Sequence, residues 1–528
     1  MGKIARYLNQ LTVGNVFDNP EILEKYATDY SALKVKPKFV AFPESTDDIR
    51  KLMRFFNQLA TKDIKVAITP RGAGHDTGGA ALTNGIIIST EKLNKLLEID
   101  PRDKLVHVQA GITLRELNTA LSVSGLTIPI NADGDETIGG LISNCPVDSC
   151  AGKYGGIKDY IERIEVVLAN GDCLQTNRYK KYAIAKKAVE KTAEGMIYRK
   201  IAKLTHDQQN LIEKLAKDTY ELSGYHHVTD VSKKETMDLM PLFFGAQGTL
   251  GIISEVILRA VPMNSRPMRV VATFKDINAA TTYMKEVQPM NPEKLDLYDL
   301  RIIREARETG KNLDGVIKRL EEGFVVYTCF SERPASRLKR IIAMRDKLPR
   351  STKFIFEKPE TQTTLDEFDN SLVNYLSYIK KGERVPILTD FYLPVDNLEP
   401  FLKDLQILGE KLELDLALYG SFATGIFSLR PKFDLEADDY RKKVTTFLRA
   451  GAYIIDRQGG KLTGGTPEGR LKAVVTNAEM PEPEQKLYND IKQVFDPNGI
   501  LNPDVKLGAV SKFTLTHFRD TNQPKIML

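Results

Sequence analysis

Gly72, Gly74, Gly78 and Gly79 crowd a single loop, PRGAGHDTGGA. Glycines at that density let backbone N–H groups approach a phosphate closely and form an anion-binding nest; the plain alternative is a turn that binds nothing. Two common nucleotide folds do not fit. A dinucleotide fingerprint opens a helix, whereas AALTNGIIIST continues as a strand, and no GxxxxGK(S/T) run occurs. The six histidines stand at 75, 107, 206, 226, 227 and 517. The four cysteines, Cys145, Cys150, Cys173 and Cys329, are too few for a disulfide framework, which fits a reducing compartment. Cys145 and Cys150 have no second Cys/His pair near them, so no zinc site is expected. A CxxCxxC cluster motif is also absent, which excludes an iron–sulfur centre within this sequence.

The elements that must hold the loop can be read around it. Short apolar strands, Val66 to Ile68 and Ile86 to Ile88, flank it. Residues 43–60 read as a helix capped by Ser45, with Asp47 and Asp48 at its positive end and Ile49, Leu52, Met53 and Phe56 on one face. Residues 105–109 alternate as a strand. Thr113 and Glu116 make a capping box for a helix ending near Gly125, and Asn170–Gly171 signals a hairpin. After Pro262, strands at 270–274, 324–330, 387–394 and 414–419 alternate with helices near 278–288, 333–347 and 397–411; further helices are expected over 436–458 and 484–495.

Composition narrows the classes. The 528 residues suggest two or three domains, and a net charge of +5 is too small to argue for a nucleic-acid binder. The longest apolar runs are a few residues, so no transmembrane helix is expected, and the N-terminus has no secretory h-region. Residues 178–218 carry eleven Lys/Arg against five Asp/Glu. The segment reads as a solvated helical insertion, with docking to an anionic membrane surface as the other reading. A cytoplasmic protein, with peripheral contact on the inner membrane face left open, is the resulting expectation.

Four segments in order carry a resemblance: PESTDDIRKLM with PRGAGHDTGGAAL; TIGGLISN through YGGIKDYIERIEVVLANGD; FFGAQGTLGIISEVILRAVP; and FDPNGILNPD. The chain resembles the FAD-binding oxidoreductases of the vanillyl-alcohol oxidase superfamily, whose flavin domain is that of p-cresol methylhydroxylase. SGYHHV and GSFATGIFSLRP make it most similar to the D-lactate and 2-hydroxyacid dehydrogenase-like flavoproteins. The resemblance implies an α+β chain: a two-subdomain FAD-binding domain over 41–262, preceded by a helical lead-in at 1–40. A substrate domain with an antiparallel sheet follows over 263–470, then a C-terminal segment, 471–510, returning to the FAD domain, and a tail, 511–528.

It also implies roles. Arg71, Gly72, Ala73, Gly74, His75, Thr77 and Gly78 would cradle the FAD pyrophosphate. Thr137, Ile138, Gly139 and Gly140 would line the rest of the groove, with Asn144, Ser149, Gly152 and Gly155 near the flavin ring. Gly251 and Ile253 would meet FAD through the backbone, and Asn502 would reach it from the C-terminal segment. RGAGHD matches the pattern that carries covalent flavin in some members, so attachment through His75 is one of two outcomes left open.

The sequence departs from those relatives where they bind a divalent metal. Ser421 and Ser428 stand in the two histidine places, and Gly465 and Thr466 stand for Glu and His. No catalytic metal is therefore expected. Arg430 follows Ser428 by two residues and offers the donor fork that suits a carboxylate. Tyr419 is an acid/base candidate whose pKa near 10 would need tuning. His226, His227, Glu468 and Arg470 are further candidates in altered or approaching loops. The expected activity is oxidation of a CH–OH group by hydride transfer to flavin N5. A 2-hydroxy acid such as D-lactate leads, and an alditol, sugar or aldonolactone is the alternative. A non-catalytic electron-transfer subunit is the rival from another class. Quinone, cytochrome and oxygen all stay open as acceptors, as does the oligomeric state.

Overall fold

A computed structural model describes residues 2–132, 134–263, 267–308, 322–331, 335–345, 348–356, 358, 361–362, 365, 368, 384–435 and 437–519. The first sheet comprises β1 (Asn15–Phe17), β2 (Phe39–Phe42), β3 (Ile68–Arg71) and β4 (Ile86–Ser89), in the order β1-β2-β4-β3. All four residues of β4 are buried, as suits a strand enclosed on both faces, and it runs parallel to β2 and β3. β1 pairs antiparallel with β2, so part of the expected N-terminal lead-in belongs to this sheet. Helix α1 (Thr46–Ala60) buries Ile49, Leu52, Met53 and Phe56 against it, and the Ser45 hydroxyl accepts from the Asp48 N–H. Asp48 itself does more than suit the helix dipole. Its carboxylate accepts from the Val13, Gly14 and Glu44 N–H groups and so ties the N-terminal segment to the helix start.

The second sheet is antiparallel: β5 (Leu96–Asp100), β6 (Leu105–Gln109), β7 (Ile161–Val167), β8 (Cys173–Gln175) and β9 (Ile252–Arg259), in the order β5-β6-β9-β7-β8. Helix α2 (Leu114–Ser122) starts at the expected Thr113–Glu116 capping box, and α3 (Ile138–Asn144) starts where Thr137 accepts from the Gly140 N–H. The basic segment folds as helices, of which α4 (Ala193–Asp207) buries Ile197, Tyr198 and Ile201 in the core of this sheet. It is therefore packed on one side rather than wholly solvated.

The third sheet is a seven-stranded antiparallel layer: β10 (Met268–Phe274), β11 (Lys294–Asp299), β12 (Phe324–Phe330), β13 (Lys353–Phe356), β14 (Leu388–Tyr392), β15 (Asp415–Ser421) and β16 (Ile426–Lys432), in the order β13-β10-β12-β11-β15-β16-β14. Helices α5 (Leu398–Leu412) and α6 (Tyr440–Arg457) bury Phe401, Leu405, Val444 and Phe447 in the same core as Phe391, Phe427 and Leu429 of this sheet. The expected helix near 333–347 is seen as Ala335–Arg345; residues 333–334 and 346–347 lie outside the described residues.

After α7 (Gly469–Glu479), the C-terminal segment returns. Helix α8 (Glu482–Phe495) packs Leu487, Tyr488 and Ile491 into the second-sheet core, and Ile500 and Leu501 enter the first-sheet core. Ile68 donates its N–H to the Ile500 carbonyl, and Asn502 donates to the Ile68 carbonyl, each at 2.8 Å. Of the tail, residues beyond 519 lie outside the described residues. Among the described residues no helix is long and apolar enough to cross a membrane.

Candidate active site

A cleft of about 380 Å³ opens where the three sheets meet. One wall is the glycine loop after β3, from Arg71 to Thr77. A second is the start of α3 with the loop running on to Ser149, and Gln247, Gly248, Gly251 and Ile253 form a third side. One face of the seven-stranded sheet makes the roof. There the period-two alternation of strands sorts side chains: Ile426, Ser428 and Arg430 of β16 face the cleft, while Phe427 and Leu429 enter the core behind. The register sets Tyr298, Tyr419 and Ser428 side by side across β11, β15 and β16, and aligns Asp296 with Ser421 and Ile426.

The loop walls suit a dinucleotide. A Cβ at Gly72 would lie 2.1 Å from Thr137 Oγ1, so only glycine lets this loop approach the start of α3. Gly74 has φ +81°, a conformation that side chains rarely adopt, and its Cβ would strike the Arg71 guanidinium. The Arg71 guanidinium lies 5.1 Å from the Tyr26 ring centroid, which fixes a buried cation at the cleft edge for an anionic group. His75 stacks on Tyr30 at 4.3 Å, with Nδ1 3.7 Å from a Glu136 carboxylate oxygen. The chain thus provides a glycine-lined groove with a cation at one end and, over the other, a largely polar roof that carries Tyr298 and Tyr419. These are residues that fit FAD.

The structure brings most of the expected site residues to the cleft, but not all. Arg71, Gly72, Ala73, Gly74, His75, Thr77, Thr137, Gly139, Gly140, Asn144, Ser149, Gly251 and Ile253 line it, as do Tyr419 and Arg430. Gly78 does not; it abuts Gly469 at the head of α7. Ile138 is wholly buried in the second-sheet core. Gly152 faces the Ala423 backbone, and Gly155 is a turn glycine at φ +79° beside Asp159; neither lines the cleft. Asn502 stands behind the wall, where its amide donates to the Ala80 and Gln247 carbonyls and its carbonyl oxygen accepts from Thr69. Its contribution is to hold two walls rather than to line the cleft.

His227 is not in the cleft lining either. It packs edge-on to Phe244 with Nδ1 3.6 Å from Asp230, and burial depresses its pKa despite that carboxylate. His226 is likewise buried outside the lining. Glu468 and Arg470 lie outside the lining: Glu468 pairs with Lys506, and Arg470 donates to the Leu82 and Pro503 carbonyls.

Sequence reasoning missed Asp148, Gln247, Asp296 and Asp390, all of which line the cleft. Gln247 is a hub: its side chain donates to Asn144 and accepts from the Gly469 N–H. Asp148 Oδ1 accepts from the Asn131 and Cys150 N–H groups, and burial raises its pKa to about 6. Asp390 sits at a β-bulge of β14 with φ 55°. A lone carboxylate inside the apolar run PILTDFYLP was the available signal for it. Ser421, Ser428, Gly465 and Thr466 do gather around the cleft, and among the described residues no three His, Cys, Asp or Glu side chains form a metal-holding group.

Comparison with known proteins agrees with this geometry. Residues 37–177 match the FAD binding domain family and residues 264–505 the FAD linked oxidases C-terminal domain family. The chain thus carries an FAD binding domain followed by an FAD linked oxidases C-terminal domain, and the two matches together span most of it. It is 26% identical to the D-2-hydroxyglutarate dehydrogenase of Pantoea ananatis over 90% of this chain and 48% of that one, and so spans about half the length of that relative. It is 22% identical to the D-lactate dehydrogenase of Anaerostipes hadrus over 92% of each chain. The fold matches substrate-bound p-cresol methylhydroxylase with a TM-score of 0.66 at 14% identity, over 95% of each chain.

Proposed function

We propose that this protein oxidises the CH–OH group of a small 2-hydroxy acid such as D-lactate, with Arg430 receiving the substrate carboxylate. Arg430 carries this reading. It is buried on the cleft face of β16, with its guanidinium 5.7 Å from the Tyr419 ring centroid. Packing against the ring narrows the directions the guanidinium can take, and a planar fork suits two carboxylate oxygens. The similarity to 2-hydroxy-acid dehydrogenases points the same way, since their substrates pair a hydroxyl with a carboxylate.

When bound, FAD supplies the redox chemistry by taking up the Cα hydrogen with its electron pair. The chain supplies the rest. Arg71, the glycine loop and the start of α3 hold the cofactor, and Arg430 orients the substrate. The hydroxyl-bearing side chains of Ser421, Ser428 and Thr466 surround the reacting alcohol in place of a metal centre.

Anaerobic titration of the yellow protein with a panel of 2-hydroxy acids, alditols and aldonolactones tests the proposal. Bleaching of the flavin absorbance by a 2-hydroxy acid supports it. Bleaching by neutral polyols alone overturns the carboxylate assignment, and a flavin that no alcohol bleaches marks a non-catalytic subunit.

A further inference from the structure

We infer that Asp390 is a catalytic residue whose carboxylate takes the hydroxyl proton of the CH–OH donor. The inference rests on the reading of the chain as a CH–OH oxidoreductase and supplies the base that Arg430 and the flavin do not. Asp390 lines the cleft on the same sheet face as Arg430.

Three hydroxyls converge on its carboxylate. Ser428 Oγ lies 3.1 Å from Oδ1, and Thr77 Oγ1 and Thr466 Oγ1 lie 3.4 and 3.3 Å from Oδ2. Thr77 comes from the glycine loop, Ser428 from β16 and Thr466 from the loop before α7. The carboxylate therefore stands at the seam between cofactor loop and substrate roof, where a reacting hydroxyl must lie.

The backbone supports a placed group. Asp390 adopts φ 55°, in the left-handed region, at the point where β14 slips register against β16. A bulge of that kind re-aims one side chain, and strain of that kind is concentrated at functional sites. The Asp390 N–H donates to Ser428 Oγ at 2.8 Å, and the Gly465 N–H donates to the Asp390 carbonyl at 2.7 Å, so the strained turn is held from two sides. Behind it, the buried Lys472 ammonium donates to Thr466 Oγ1 at 3.0 Å, one hydroxyl away from the carboxylate.

Of the other cleft carboxylates, Glu136 stands beside His75, Asp148 Oδ1 accepts from two backbone N–H groups and Asp76 Oδ2 accepts from the Ala80 N–H, while Asp296 lies on β11 opposite Ser421.

The step balances. Oxidation of R–CH(OH)–COO⁻ to R–CO–COO⁻ breaks the Cα–H bond, whose hydrogen and two electrons go to the flavin. It also breaks the O–H bond, whose proton goes to an Asp390 oxygen while its electron pair becomes the second bond of the ketone. The carboxylic acid so formed then returns its proton to solvent.

Asp390→Asn is the test, because asparagine tolerates the left-handed backbone as aspartate does and keeps an acceptor for Ser428. Three quantities are read on the FAD-loaded protein: FAD per chain, flavin spectral perturbation on titration with the 2-oxo acid product, and the anaerobic flavin-reduction rate with whichever donor bleaches wild type. FAD content and product binding should stay within a few-fold of wild type, while reduction slows roughly 10²–10⁴-fold. Asp390→Glu, which restores a carboxylate on a longer arm, should recover part of that loss. An Asn variant reduced at the wild-type rate overturns the inference and leaves the hydroxy-acid reading standing. Normal Asp390 dependence with a neutral alcohol keeps the inference and overturns the hydroxy-acid reading. A wild-type flavin that no CH–OH donor bleaches overturns both.

Discussion

Glu468 and Lys506 form an ion pair 2.6 Å apart in which neither side chain reaches solvent. The other Glu468 oxygen accepts the Gly224 N–H, and burial raises its pKa against the pull of Lys506. The pair joins the loop before α7 to the C-terminal segment. Breaking one side leaves a charge buried alone, which costs about 3–5 kcal/mol, whereas removing both with apolar residues of similar size costs far less. Lys506→Ala should therefore lower the thermal midpoint sharply, and Glu468→Leu/Lys506→Met should recover most of it. A single variant as stable as wild type would show that the pair is dispensable.

Gly74→Val should strip the cofactor without unfolding the chain. The position has φ +81° and a Cβ there meets the Arg71 guanidinium, so the variant both strains the loop and displaces the cation. Absorbance near the flavin bands per mole of protein should fall well below one FAD per chain while far-ultraviolet dichroism stays the same. Full flavin content in the variant would disprove the cradle.

Arg430→Ala should lower kcat/KM by between roughly tenfold and several thousandfold, corresponding to a stranded carboxylate worth about 2–5 kcal/mol. Arg430→Lys should recover only part, because an ammonium lacks the planar fork. FAD content should be unchanged, since Arg430 lies in the roof and not in the glycine loop. Steady-state kinetics with a hydroxy acid and its uncharged ester separate the carboxylate contact from general packing: only the acid should lose.

Asp148 makes a pH-dependent contribution to stability. Its folded pKa of about 6 lies above the ordinary 3.8 because burial disfavours the anion. The native state therefore holds this proton more tightly than the unfolded chain. The contribution is fully present below about 3.8 and is lost as pH rises through about 6. Asp148→Asn, which never ionises, should gain on wild type in thermal midpoint as pH is raised from 4.5 to 7.5. A gap that stays constant across that range would contradict the burial argument.

Whether the flavin is bound covalently can be tested at His75. Its ring stacks on Tyr30, and its Nδ1 lies 3.7 Å from a Glu136 carboxylate oxygen. Acid precipitation should leave the yellow colour in the supernatant. A pellet that stays yellow in wild type and turns white in His75→Ala would establish a covalent link instead.

The sequence made the flavin half legible because its signals are local. A capping box at Thr113, a cap at Ser45 and a glycine cluster after a short strand each depend on residues within a few positions. The roof was less legible. Strand β16 carries both Ser428 and Arg430, yet IFSLRPK was not read as a strand, because its alternation is interrupted by a proline and its two polar residues face a cleft rather than solvent. Asp390 was missed for a related reason: nothing within ten residues of it predicts partners at 77, 428 and 466. His227 looked reactive as a type and proved to be packed, because the loop carrying it folds under Phe244.

The return of residues 500–502 to β3 fixes the order in which the protein can mature. Ile68 finds its backbone partners in Ile500 and Asn502, and the amide of Asn502 also ties Ala80 to Gln247. A ribosome has to deliver more than four hundred further residues before the strand beside the cofactor loop gains that neighbour. Until then the nascent flavin domain carries an open edge and an unclosed groove. Such long-range closure is slow and leaves strand edges exposed meanwhile. Closure of the groove thus waits for residues 500–502, and a chain terminated upstream of Ile500 would have a first sheet that cannot be sealed.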